Sequence, residues 1–292
     1  MYHIRLKQMM LDIAIQDTMN LSCRHVWMEG GSTMKLLLTN DDGVMAPGIG
    51  ALYQALQLDH TVTIVAPHRQ RSAASHGFTF GSEYTVEQIE DQVFQCSGSP
   101  TDCVMFGLEE LGPFDGVISG MNHGANVAWD TWYSGTVGAA CEAARRLVPA
   151  IAVSLDVLPD SIVPTVDYCY DAAAATLVDY VRQGVLSCAV PGTVLNINFP
   201  NSRSLLSKHP QYAVPGSYYY NHQTLVRTVD GPGKWHVHVE HHEKGVKSSV
   251  VTMDTDAVLM QEGPILSLLY MRWPTVPMVQ KQAIEGWLAR YR

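Results

Sequence analysis

Two adjacent aspartates, Asp41 and Asp42, follow the short apolar run Lys35 to Asn40 and lead straight into Gly43. Carboxylates set side by side repel each other, and a hard cation relieves that repulsion. Carboxylate, amide and hydroxyl oxygens suit Mg2+ or Mn2+. A plainer reading makes one Asp a turn cap and leaves the other in water. Other polar loops sit at comparable places. Arg69-Gln70-Arg71-Ser72 follows a β-branched run, Ser119-Gly120-Met121-Asn122 ends another, and Tyr133-Ser134-Gly135-Thr136 opens an Ala-rich stretch of helical character. Free N–H groups at a helix start, together with the helix dipole, suit a phosphate; the alternative is that Ser134 is a simple N-cap. Asn122 and Asn126 lie in a Gly- and Asn-rich loop where they can orient oxygens or bind phosphate. Gly98-Ser99-Pro100-Thr101-Asp102 reads as a capping turn that supports the pocket or forms its wall.

These loops matter only if the fold brings them together. Strands are expected at Lys35 to Asn40, Thr61 to Ala66, Val93 to Ser97, Gly116 to Ser119, Ala150 to Leu155 and Thr193 to Asn198. Helices are expected over Pro47 to Leu58, Thr101 to Leu111, Ser134 to Leu147 and Thr165 to Arg182. The alternation implies βαβ units with right-handed crossovers, hence an α/β fold with a Rossmann-like, doubly wound, mostly parallel sheet. Such sheets bind ligands beyond the carboxyl ends of their strands, where the polar loops would converge. From 201 to 253 the periodicity changes to an extended hairpin or arm. A helical turn at Asp254 to Glu262, a last strand at Ile265 to Leu269 and an amphipathic helix from Val276 to Tyr291 follow. The compact pattern begins at Met34. We therefore expect residues 1–33 to be an extension outside the fold, 34–200 the core, and 201–292 a hairpin, strand and helix used in oligomerisation.

The chain has 292 residues, 47% of them hydrophobic, and a net charge of −9, so a nucleic-acid backbone is not an expected partner. No run of about 20 uncharged apolar residues predicts a membrane span. None of the six cysteines makes a CxxC pair, which points to buried free thiols in a reducing compartment such as the cytoplasm.

Four blocks, LLLTNDDGVMAPGI at 36–49, VAPHRQRSAASH at 65–76, GSPTDCV at 98–104 and VISGMNHGANVAWDTWYSGTVGAACEA at 117–143, resemble the SurE family of stationary-phase survival proteins with 5′/3′-nucleotidase activity. Weaker matches are PAIAVSL at 149–155, VLNINFP at 194–200 and MDTDAV at 253–258. The resemblance implies one divalent metal ion per subunit, Mg2+ or Mn2+, on Asp41, Asp42, Ser72 and Asn122. It places the phosphate side on Ser134, Gly135 and Thr136, with Asn40 and Asn126 beside it. It implies a homodimer or homotetramer that exchanges its C-terminal segments and hairpins. The chain departs from the family pattern at 216–222 and 268–274, which bears on base preference, polyphosphate activity and assembly but not on the metal residues.

The expected reaction is hydrolysis of nucleoside 5′- and 3′-monophosphates by a metal-activated water. Asp41 or Asp42 would orient that water and Ser134 would steady the phosphate. The alternative is a non-catalytic nucleotide-binding or scaffold protein on the same fold. A haloacid-dehalogenase site needs a nucleophilic Asp two residues from a second Asp, whereas here the pair is adjacent, and a receiver domain needs an Asp at the end of a central strand; neither pattern is present. His236, His238, His241 and His242 admit a zinc site or a solvated hairpin. His76 and Asp130 admit proton transfer or purely structural roles.

Overall fold

The computed structural model describes residues 33–157, 167–189, 192–216, 222–242 and 255–270. The expected extension, apart from residue 33, and the expected helix at 276–291 lie outside the described residues.

The first unit is β1 (Lys35–Thr39), α1 (Pro47–Leu56) and β2 (Thr61–Pro67), with β1 and β2 parallel. Pro47 opens α1, where its fixed φ suits the first turn and its missing N–H costs nothing. Side chains on β1 alternate. Leu36 and Leu38 pack with Ile49, Leu52 and Leu177 on one face, and Leu37 packs with Val65, Cys103 and Ala140 on the other. Burial on both faces is what a parallel sheet between helical layers requires.

β3 (Val86–Glu90) and β4 (Val93–Cys96) form an antiparallel pair, and β4 runs parallel to β2. β3 was not expected from the sequence. It is polar and largely exposed, so it lacks the apolar alternation that marks a half-buried strand. The expected helix Thr101 to Leu111 divides into α2 (Pro100–Phe106) and a π-helical segment, Gly107–Leu111.

β5 (Gly116–His123) is longer than expected. It stays paired with β6 (Ala150–Asp156) beyond a register shift between Ser119 and Asn122. At Gly120 φ is +143°, and a Cβ there would lie 2.2 Å from the carbonyl oxygen of Val153, so only glycine fits. The shift re-aims the chain at Asn122 just where β5 leaves the core.

α3 (Gly135–Arg145), α4 (Tyr170–Arg182) and β7 (Thr193–Pro200) complete the alternation. The sheet order is β3-β4-β2-β1-β5-β6-β7-β11-β8, with β8 (Gln211–Tyr212) and β11 (Ile265–Tyr270) extending the far edge. β11 is antiparallel to β7. From β1 the chain winds outward through β2, then resumes on the other side at β5. The switch point therefore lies between β1 and β5.

β9 (His222–Val229) and β10 (Trp235–His242) form a separate antiparallel hairpin inside the segment expected to be an arm. Cys96, Cys103, Cys141 and Cys169 are buried and Cys188 is exposed, all as free thiols. Among the described residues, no helix is long and apolar enough to cross a membrane.

Candidate functional site

Asp41 and Asp42 leave β1 at the switch point. The turn that carries them is clasped by Asn40: its amide nitrogen donates to the Gly43 carbonyl at 2.9 Å, and its oxygen accepts from the Gly43 N–H at 3.1 Å. Asn40 is fully buried, so its described bonds shape the turn rather than face a ligand.

Asp41 turns inward and is 4% exposed. Its Oδ2 accepts from the Gly135 N–H at 3.1 Å, and its Oδ1 accepts from the Thr136 hydroxyl at 2.5 Å. The anion at the start of α3 is thus Asp41 itself. A Cβ on Gly135 would sit 2.8 Å from the Asp41 Cβ, so this close approach requires glycine. Ser134 caps the helix by accepting from the Val137 N–H at 3.0 Å. Gly135 and Thr136, expected on the phosphate side, are committed to Asp41, while the Ser134 hydroxyl keeps its hydrogen for another acceptor.

Asp42 Oδ2 accepts from the His123 N–H at 2.9 Å, which ties the end of β5 to the end of β1. Asn122 precedes that contact, and its amide nitrogen donates to the Gly124 carbonyl at 2.7 Å, leaving its oxygen as a donor atom for a cation. The Arg71 N–H donates to the Asp41 carbonyl at 2.6 Å, bringing Ser72 to the same end of the sheet. The Ser72 Oγ is exposed and accepts from Gln70 at 2.9 Å. The Arg71 guanidinium donates to the Ser97 carbonyl, which anchors this loop to the turn before α2. There Ser99 and Asp102 make a reciprocal capping box, the supporting role expected of that segment.

Burial pushes the Asp41 carboxyl up to about 6; the Thr136 hydroxyl opposes the shift, and the charge of Asp42 adds to it. Burial also raises Asp42, against the His123 N–H. Among the described residues neither carboxylate joins a salt bridge. Two desolvated carboxylates without an ion pair among the described residues, standing beside amide and hydroxyl oxygens, form a hard-cation donor set. The described residues hold no group of three or more His, Cys, Asp or Glu placed for a metal; the donors beside the two carboxylates are amide and hydroxyl oxygens, which suit a hard cation.

Asn126 lies deeper than its expected phosphate role suggests. Its amide nitrogen donates to the Ser154 Oγ at 2.8 Å, its N–H donates to the Asn198 Oδ1 at 2.8 Å, and its carbonyl accepts from Asn196 and Asn198. These bonds lace the loop to β6 and β7. His76 bonds Glu142 at 3.2 Å and so is built into the α3 network. The Asp130 carbonyl accepts from the Tyr133 and Ser134 N–H groups. In the histidine stretch, His236 bonds Asp230 at 3.1 Å; the side chains of 238–242 lie outside the described residues.

The sequence reading missed three contributors. His123 and Tyr170 line a cleft of about 390 Å³ that opens on Asp42, with Met45, His68, Arg69 and Gln70 around it. His123 sits inside a quoted motif, but nothing in the motif says that its ring meets Tyr170 from a helix 47 residues on. Asp256 is fully buried. Its Oδ2 accepts from the Ala128 N–H at 2.9 Å and its Oδ1 from Gly216 and Ala257, fixing Ala128 at φ +50° just upstream of Ser134. The block at 253–258 was its only signal.

A family described as Survival protein SurE matches residues 36–221 of the chain. The 5′-nucleotidase SurE of Pelobacter propionicus is 46% identical over 171 residues, covering 58% of this chain and 66% of that protein, just under two thirds of its length. The 5′-nucleotidase SurE of Geotalea uraniireducens is 42% identical over 205 residues, covering 69% of this chain and 79% of that protein. The crystal structure of the SurE protein from Aquifex aeolicus superposes with a TM-score of 0.70 at 28% identity, over 86% of this chain and 99% of that one.

Proposed function

Because the chain belongs to the SurE family, we propose that it is a divalent-metal-dependent phosphatase that hydrolyses nucleoside 5′- and 3′-monophosphates to nucleoside and phosphate. The observation that carries this reading is the pair of desolvated carboxylates at the switch point, one of them gripped by the start of α3. Asp41, Asp42, Ser72 and Asn122 hold one Mg2+ or Mn2+ per subunit. When bound, such an ion supplies Lewis-acid polarisation of the phosphoryl group and lowers the pKa of the attacking water.

The chain's own groups do the rest. Asp41 is fixed by Gly135 and Thr136, so it needs no reorganisation as charge moves. Asp42 is held through Oδ2 by His123, which leaves Oδ1 to orient water and take up its proton. The Ser134 hydroxyl donates its hydrogen to a phosphate oxygen at the helix start. Arg69, on the cleft wall, adds positive charge near the ester. Neutral hydrolysis to a nucleoside hydroxyl needs no covalent enzyme intermediate. The setting is the cytoplasm, and the working unit is a homodimer or homotetramer built with the 201–292 region.

Phosphate release from a panel of nucleoside 5′- and 3′-monophosphates, with Mn2+, with Mg2+ and with chelator, tests this directly. Release that depends on the cation is expected. Folded protein that binds nucleotides yet releases no phosphate would favour a non-catalytic nucleotide-binding role.

A further inference from the structure

The chemistry above uses His123 only through its backbone N–H. Its ring is exposed at the cleft that opens on Asp42, yet it is held in place. The Tyr168 ring meets it edge-on, with centroids 4.9 Å apart at 82°. The Tyr170 hydroxyl lies 2.5 Å from its Nδ1. Immobilising an exposed side chain costs conformational entropy, and backbone bonding to Asp42 does not require it. A rigid aromatic face beside a phosphate site has an evident use, because any nucleobase stacks on such a face whatever its hydrogen-bonding edge.

The rest of the cleft fits a base. Its volume of about 390 Å³ suits a small ligand. Met45, 84% exposed, offers a soft apolar surface. Gln70 brings a donor and an acceptor that a heterocycle edge can meet.

We propose that His123 is the stacking platform for the substrate's nucleobase, positioned by Tyr168 and Tyr170, with Met45 lining the same subsite. The proposal rests on the nucleotidase reading but is separable from it. It makes recognition depend on the presence of a base more than on its identity.

The test compares AMP with ribose 5-phosphate, which carries the same phosphoester without a base. Wild type, His123→Ala and His123→Phe are assayed for kcat and KM with Mn2+, and for binding of both ligands by equilibrium dialysis. In His123→Ala the AMP to ribose 5-phosphate ratio of kcat/KM, and of affinity, should fall about tenfold, the loss expected of one stacked base. The change should sit in KM, and His123→Phe should restore the ratio. An unchanged ratio, or a Phe variant as poor as Ala, overturns the proposal. Absence of turnover in wild type would overturn the phosphatase reading alone, since dialysis still reads the ratio.

Discussion

Asp41 sits where residue chemistry and backbone geometry meet. Its carboxylate touches the α3 start so closely that position 135 must be glycine. Gly135→Ala should push Asp41 out of line and weaken Mn2+ binding by about 10- to 100-fold, as losses in the supporting shell of a metal site do; titration calorimetry reads this. The same residue predicts a pH dependence. Its folded-state value is raised from 3.8 to about 6, so its contribution to stability is present below 3.8 and lost as pH rises through 6. A cation binds the ionised form, so the sign reverses with metal. The gain in Tm from Mn2+ should be nearly full near pH 7 and shrink below pH 6, with affinity falling about fivefold from pH 6 to pH 5. A gain that is flat across that range would remove Asp41 from the ligand set. The motif residues, the acidic pair above all, were legible because their chemistry is unusual at a strand end. The jobs of Asn40 and Asn126 were not, since an amide in a loop reads alike whether it grips backbone or ligand.

At the scale of elements, α3 is held by one buried acid. Glu142 accepts from Arg145, Arg146 and His76. Burial alone would raise its carboxyl, but the bonds from His76, Arg145 and Arg146 carry it well below the ordinary 4.5. Through these bonds the helix whose first turn grips Asp41 is tied to the loop that carries Ser72. Glu142→Gln should cost about 2 kcal/mol in urea unfolding at pH 7, below the usual figure for breaking a buried pair because its partners are partly exposed. The Glu142 contribution is present above pH 4.5 and lost as pH falls, so the gap between variant and wild type should narrow in acid. The parallel strands were readable from their short apolar or β-branched runs. β3 escaped because an exposed polar edge strand has no apolar period, and the end of β5 escaped because Gly and Asn read as loop.

Over the whole molecule, the sheet sets where the loops meet, and its far edge, β11 and β8, comes from the region proposed for assembly. β9 and β10 project exposed Val229, Trp235 and Val237, apolar surface suited to burial against a second copy. Replacing residues 222–242 with a short Gly-Ser linker should lower the mass seen by light scattering to that of one chain. An unchanged oligomer would move assembly to another surface.

By itself the sequence determined the alternation of strands and helices, the acidic pair and the family to which it belongs, because these are local patterns of period and residue type. Only the tertiary structure decided which groups Asp41 and Asp42 touch. The switch point sets β1 beside β5 although some 80 residues separate Asp42 from His123. Contacts of that span follow from strand order and register. They made Gly135 and Thr136 at the start of α3 the clamp on Asp41, and they brought His123, Tyr168 and Tyr170 together at the end of β5.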